Sequence, residues 1–300
     1  MRVLLGTVGG EHEDQSAHHG GIVEHDALVD FADRTPDAGA IVLRGAPVGD
    51  LPPTPPSPTA PTGKDLVSEF VLLTVGRRLG QPVGYLPEHG GDLVQNLVPT
   101  AASASRQVST SSSVDLMFHT EAAFHPHRPR YLLLLCLRGN PEAVTTLSSV
   151  HEVLPRLPQS VVDVLFEARF RTAVDESYLH GRSNVLGPPM PVLRGERERP
   201  SMVFDADLMV GTDDAADAAL RVLAAEVSRH HTGLALEPGR GGTAVQRVVV
   251  RIDQHRRQVA DHGSRMRWLQ HLADVMRMAE RIVVSQPLLQ RIESAFQLRV

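Results

Sequence analysis

The sequence predicts a mainly β domain with covering helices. Short apolar runs of strand length, such as Ile41 to Leu43 in AGAIVLRGAPV and Leu132 to Leu135 in YLLLLCLRG, are bounded by glycine, proline and polar residues. Between them stand segments with apolar residues at helical spacing, KDLVSEFVLLTVGRRLG and DDAADAALRVLAAEVSRHH. Interleaving of the two kinds argues for a β-rich core supported by helices. With 300 residues and 42% hydrophobic content the chain can bury one substantial core, so residues 1–300 are expected to form a single domain.

Taken in order, Ala38 to Val48 reads as a buried strand running into a turn. Residues 49–63, GDLPPTPPSPTAPTG, form an extended loop, because proline neither donates to a ladder nor continues a helix. Lys64 to Leu79 is a helix closed by Gly80. ASASRQVSTSSS is a polar, flexible segment before the apolar strand YLLLLCLRG. AVTTLSSVHEVLPRLPQSVVDVLFEARF gives a short strand, then a helix capped near Ser160. DESYLHGRSNVLGPPMPVLRG is loop with a strand at its end, and PSMVFDADLMVG is another strand. Asp213 to His230 is the plainest helix, opened by aspartates and closed by basic residues in agreement with the helix dipole. TAVQRVVVRID is a late strand, and residues 269–300 form a helical C-terminal segment.

Bulk properties exclude several function classes. A net charge of -5 gives no basic footprint for nucleic acid or an anionic membrane. Cys136, the sole cysteine, cannot form an intrachain disulfide or a cysteine-built zinc site, which suits a reducing cytoplasm. The start MRVLLGTVGGEHEDQ lacks the longer apolar region of a signal peptide. No window approaches the roughly 18 apolar residues of a membrane span, so a soluble cytoplasmic protein is expected.

The chemistry concentrates in LMFHTEAAFHPHRPRYLLLLCLRG, Leu116 to Gly139. In a strand, residues i and i+2 point to one face, so His119 and Glu121 could bind one metal ion. A distant histidine would complete a facial triad of two histidines and one carboxylate, which leaves positions open on Fe(II) for a cosubstrate and O2. The tripeptide alone is not specific, since His12 and Asp14 fit it too. Catalytic zinc also takes two histidines, a carboxylate and water, but the helical His-Glu-x-x-His pattern is missing.

The wider context is specific. FHTEAAFHPHRPRYLLLLCLRGNPEAVTTLSSV resembles the metal strand of the clavaminate synthase-like Fe(II)/2-oxoglutarate oxygenases, especially the arginine and asparagine hydroxylases of peptide-antibiotic pathways. The resemblance runs from about Gly39 to Gly239 and includes GAIVLRGAPV, LPEHGGDLVQNLVP and FDADL. It implies a double-stranded β-helix, the cupin-like jelly-roll, with Fe(II), 2-oxoglutarate as cosubstrate and O2. It makes His119 and Glu121 the first two metal ligands and Thr145 a contact to 2-oxoglutarate, and it reads His125 and His127 as structural. Glu88 falls where the family holds the substrate's α-amino group, and Ser109 where it contacts the amino-acid head. Asp175, Asp205 and Asp207 fall where arginine hydroxylases gather carboxylates around a guanidinium. As alternate residues of a strand, Asp205 and Asp207 would share a face, and converging carboxylates need a cation such as a guanidinium to complete them.

The resemblance breaks after LALEPG. RWLQ matches the family, so Arg267 is the expected anchor of the distal carboxylate of 2-oxoglutarate. DHG offers His262 as third metal ligand, but only five residues before Arg267; His255 is better separated yet has the wrong neighbours. The implied function is hydroxylation of a free amino acid, at the β-carbon of arginine or a related basic residue, beside a peptide-synthetase pathway. Asparagine, glutamate, a carrier-bound aminoacyl group, and a degenerate member that binds without turnover are the alternatives.

Overall fold

The computed structural model describes residues 28–32, 39–57, 63–111, 113–140, 142–236 and 245–251. Residues 28–32 are helical. In chain order there follow β1 (Ala40–Ala46), α1 (Val67–Leu79), β2 (Tyr131–Leu135), β3 (Val144–Leu147), α2 (Val150–Val153), α3 (Gln159–Leu165) and β4 (Phe170–Thr172). Then come α4 (Glu176–Leu179), β5 (Leu193–Arg194), β6 (Ser201–Met202), β7 (Met209–Gly211), α5 (Asp214–Arg229), β8 (Thr232–Ala235) and β9 (Val245–Arg251). Among the described residues no helix is long and apolar enough to cross a membrane.

β1, β9 and β2 form an antiparallel sheet with the last strand in the middle. Ile41 and Val42 pair with Val249 and Val248, which pair on their other side with Leu133 and Leu134. Side chains of a strand alternate between faces, and here the two faces meet different partners. Ile41, Leu43, Tyr131 and Leu133 pack with Val75 of α1 and with Leu28 and Phe31. Ala40, Val42 and Leu132 pack with Leu147, Leu234 and Leu236 around the β3–β8 pair. A run such as YLLLL, without polar alternation, is the pattern of a strand with apolar partners on both faces.

α1 begins at Val67 rather than at Lys64, because Asp65 competes for the backbone: its Oδ1 accepts the Val67 N–H at 3.1 Å and its Oδ2 the Asp50 N–H at 2.8 Å. Lys64 instead reaches Asn96 Oδ1 at 2.7 Å and Glu69 at 2.5 Å. The helix expected near Ser160 is divided by prolines. α2 is capped by Ser149, whose Oγ accepts the His151 N–H, and a 3₁₀ turn, Leu154–Arg156, follows. Leu157, before Pro158, is extended, and α3 starts at Gln159.

The largest core lies under α5. Ala216, Ala219, Leu220, Leu223 and Val227 pack on Val162 and Leu165 of α3, on Phe170, and on Leu193 and Met202 of the β5–β6 pair. PSMVFDADLMVG is not one strand, because the chain turns at Asp205 between β6 and β7. Residues 102–111 of ASASRQVSTSSS are built of turns rather than loose chain. Ser103 Oγ meets Thr110 O at 2.9 Å, and the Ser113 N–H donates to Ala104 O at 2.9 Å.

Leu223 is fully buried in this core. Leu223→Ala is therefore expected to cost about 2–5 kcal/mol, measured by urea denaturation. Asp213 caps α5, accepting the Ala215 and Ala216 N–H groups, and the Arg169 guanidinium holds its carboxyl down at about 2. A depressed folded value means that this stabilisation is complete above the unfolded value and is lost as pH falls through the folded one. The denaturation midpoints of wild type and Asp213→Asn should accordingly converge between about pH 4 and pH 2.

Candidate active site

The site is built on a short antiparallel ladder outside the named strands, in which His119 bridges Asp205. The Thr120 N–H donates to Phe204 O at 2.7 Å and the Ala206 N–H to Phe118 O at 3.0 Å. Phe118, Thr120 and Phe204 are buried, whereas His119 is half-exposed. Alternation along the ladder thus anchors one face in the core and leaves His119 on the other.

His119 is held in one ring form. Its Nδ1 lies 2.8 Å from Met117 O, and a carbonyl only accepts, so Nδ1 carries a hydrogen and the neutral tautomer that this contact selects has its lone pair at Nε2. That is the arrangement of a metal-ligating histidine oriented by a backbone carbonyl. Glu121 follows in the turn that ends the ladder, and Ala122 after it adopts a left-handed φ of 49°, a costly conformation for a residue with a side chain. Burial chiefly pushes the Glu121 carboxyl up; His119 and the Ala122 N–H pull it down, while Glu88 and Asp175 add to the rise.

Glu88 and Asp175 come from separate loops. Glu88 sits in a tight turn in which its N–H donates to Tyr85 O at 2.8 Å and Gly91 N–H donates back to Glu88 O at 3.0 Å. Asp175 caps α4, its Oδ1 accepting the Ser177 N–H at 2.8 Å. Two tyrosines join them, and they were not singled out in the sequence although Tyr178 lies inside DESYL. The Tyr178 hydroxyl donates to Glu88 Oε2 at 3.0 Å, and Tyr85 donates to His127 O at 2.8 Å. Burial is the main cause that pushes Tyr85 up to about 12 and Tyr178 further up, so both are neutral donors. His125 packs edge-on to Tyr85 at 4.7 Å and accepts the His127 N–H at Nδ1, with burial pushing its imidazole down.

Asp205 and Asp207 do not share a strand face. Asp205 Oδ1 accepts the N–H groups of Asp207 and Leu208 at 2.9 and 2.8 Å, closing a turn, while Asp207 is exposed. The carboxyl of Asp205 is pushed up by burial and pulled back by those N–H groups and by His119. Thr145 is buried on β3, opposite Leu234 of β8. Ser109 is exposed in the turn-rich loop. His255, His262, Arg267 and residues 269–300 lie outside the described residues. Among the described residues no three histidine, cysteine or acidic side chains converge to hold a metal alone, and His119 with Glu121 supplies two donors of the right chemistry.

Thr120 locks the ladder from between His119 and Glu121. Its Oγ1 accepts the Phe204 N–H at 3.1 Å in a buried setting. Thr120→Ala would strand that N–H at a cost of about 1–3 kcal/mol, whereas Thr120→Ser should retain most of the stability in urea denaturation.

No family model matches the sequence. The chain is 39% identical over 225 residues to the L-asparagine oxygenase of Streptomyces coelicolor, covering 73% of this chain and 66% of that protein. It is 37% identical over 189 residues to the L-lysine 3-hydroxylase of Catenulispora acidiphila, covering 61% of this chain and 53% of that one. The chain thus spans just under two thirds and about half of the lengths of these relatives. A solved asparagine oxygenase in complex with Fe(II), 3-hydroxyasparagine and succinate superposes with a TM-score of 0.66 at 32% identity, over 79% of this chain and 75% of that one. With this similarity in sequence and in fold, the chain belongs to the clavaminate synthase-like family of non-heme iron, 2-oxoglutarate-dependent oxygenases.

Proposed function

We propose that the protein is an Fe(II)- and 2-oxoglutarate-dependent hydroxylase of a free amino acid, acting at the β-carbon in a natural-product pathway. Its paired sheets are read as parts of one double-stranded β-helix. The observation that carries the proposal is His119, whose Nδ1 is committed to Met117 O, next to Glu121 in one charge cluster. These two residues and a histidine beyond Gln254, His262 or His255, would hold the iron. When bound, iron and 2-oxoglutarate supply O2 activation and the oxidising equivalent.

The remaining tasks belong to the chain. Thr145 and Arg267 hold 2-oxoglutarate. Glu88, fixed by Tyr178, takes the substrate's α-ammonium, and Ser109 contacts the amino-acid head. Charge counting favours a basic side chain. Burial pushes the Glu121 carboxyl up and the half-buried Glu88 and Asp175 add to the rise, so cations beside the three would suit them. A metal ion meets Glu121 and an α-ammonium meets Glu88, so a second substrate cation suits Asp175, with Asp207 alongside. Arginine or lysine fits this count. Asparagine is the second reading, favoured by Asp205, whose Oδ1 is already engaged by two backbone N–H groups.

Anaerobic titration with Fe(II) and 2-oxoglutarate tests the site. Wild type should develop the weak visible charge-transfer band, and His119→Ala and Glu121→Gln should lose it. Of His262→Ala and His255→Ala, the one that abolishes the band names the third ligand. Succinate release with L-arginine, L-lysine and L-asparagine then ranks the substrates; asparagine alone would overturn the basic reading, and no band in wild type would overturn the hydroxylase.

A further inference from the structure

Resting on that reading of His119 as a metal ligand, we propose that Gln107 is a positioning residue for the metal site, acting through the Met117 peptide. The Gln107 side-chain amide spans the chain just before the ladder. Its Nε2 donates to Asp115 O at 3.0 Å and its Oε1 accepts the Met117 N–H at 3.0 Å. One amide thereby occupies a carbonyl and an N–H two residues apart, as a neighbouring strand would. The help matters here because residues 113–118 are in neither helix nor strand, and the first ladder pairing falls at His119.

The Met117 peptide is the link. The N–H of Met117 is held by Gln107, and its carbonyl accepts from His119 Nδ1 at 2.8 Å. Rotation of the flanking peptides would swing that carbonyl off the imidazole, freeing both ring orientation and choice of tautomer. Backbone partners of this kind commonly change metal affinity about 10–100-fold when removed.

The clamp itself is anchored. The loop that carries Gln107 is closed on itself by Thr100 N–H to Thr110 O at 3.1 Å and by Ser111 Oγ to Ala104 O at 2.8 Å. Ser109, assigned above to the substrate head, lies two residues along the same loop. Gln107 therefore ties the loop that meets the amino acid to the histidine that meets the metal.

The test uses the full-length protein and anaerobic Fe(II) titration in the presence of 2-oxoglutarate, with the thermal midpoint of the metal-free protein measured alongside. Gln107→Met keeps the side-chain length and removes both hydrogen bonds. Gln107→Glu keeps an acceptor for the Met117 N–H and loses the donor to Asp115 O. Gln107→Met should raise the Kd for Fe(II) about tenfold or more and shift the visible band, and Gln107→Glu should recover most of that loss. Unchanged affinity and band in Gln107→Met would overturn the role of Gln107. Equal losses in both variants would overturn the route through Met117. A wild type that binds no Fe(II) would instead remove the metal-site reading on which this inference stands.

Discussion

The two backbone hydrogen bonds joining residues 118–120 to residues 204–206 are the constraint on which the site depends. They measure 2.7 and 3.0 Å, and they are flanked by Phe118 and Phe204, both almost fully buried. A ladder of this length has little stability of its own, so the aromatic anchors carry it, together with Thr120 binding the Phe204 N–H. Its consequence is directional. With Phe118 and Thr120 committed to the core, His119 faces away from it, and Glu121 stands in the turn that follows. Ala122 absorbs that turn in a left-handed conformation, a local cost tolerated where the surroundings hold it.

A second constraint is electrostatic. Glu121 is pushed up chiefly by burial and further by Glu88 and Asp175, and a cation beside it would favour its anionic form. Asp205 follows a different solution, with two backbone N–H groups offsetting its burial. The tyrosines add donors without adding charge. Kept neutral by burial, Tyr178 binds Glu88 and leaves the second oxygen of that carboxylate for another partner.

Much of this was legible in the sequence where a local rule decides. The apolar runs of β1 and β2, the aspartates opening α5 and Gly80 closing α1 follow from periodicity and capping, whereas the expected shared strand face of His119 and Glu121 gives way to a turn at Glu121. Long-range order was not legible, because nothing local says that β9 should lie between β1 and β2. The break in PSMVFDADLMVG was missed because an aspartate can bind its own backbone as readily as a ligand, and alternation cannot tell these apart. Polarity was equally ambiguous in ASASRQVSTSSS, whose hydroxyls and carbonyls satisfy one another and so give an ordered loop with a solvated composition.

The proposed site is divided between the ladder and the loops. His119 and Glu121 are placed by core-anchored backbone, which tolerates little change. Glu88, Ser109 and Asp175 are placed by three loops, and the ties between these are side-chain contacts: Tyr178 to Glu88, His180 Nε2 to Pro87 O at 2.6 Å, and Arg106 to Glu176 at 2.6 Å. The last pair is exposed and contributes little. Loop-borne contacts of this sort can be exchanged one at a time without disturbing the ladder that carries His119. Under the proposed function, selectivity among amino acids would be free to vary around a fixed centre and would turn on which carboxylates remain unsatisfied once the fold has used its own.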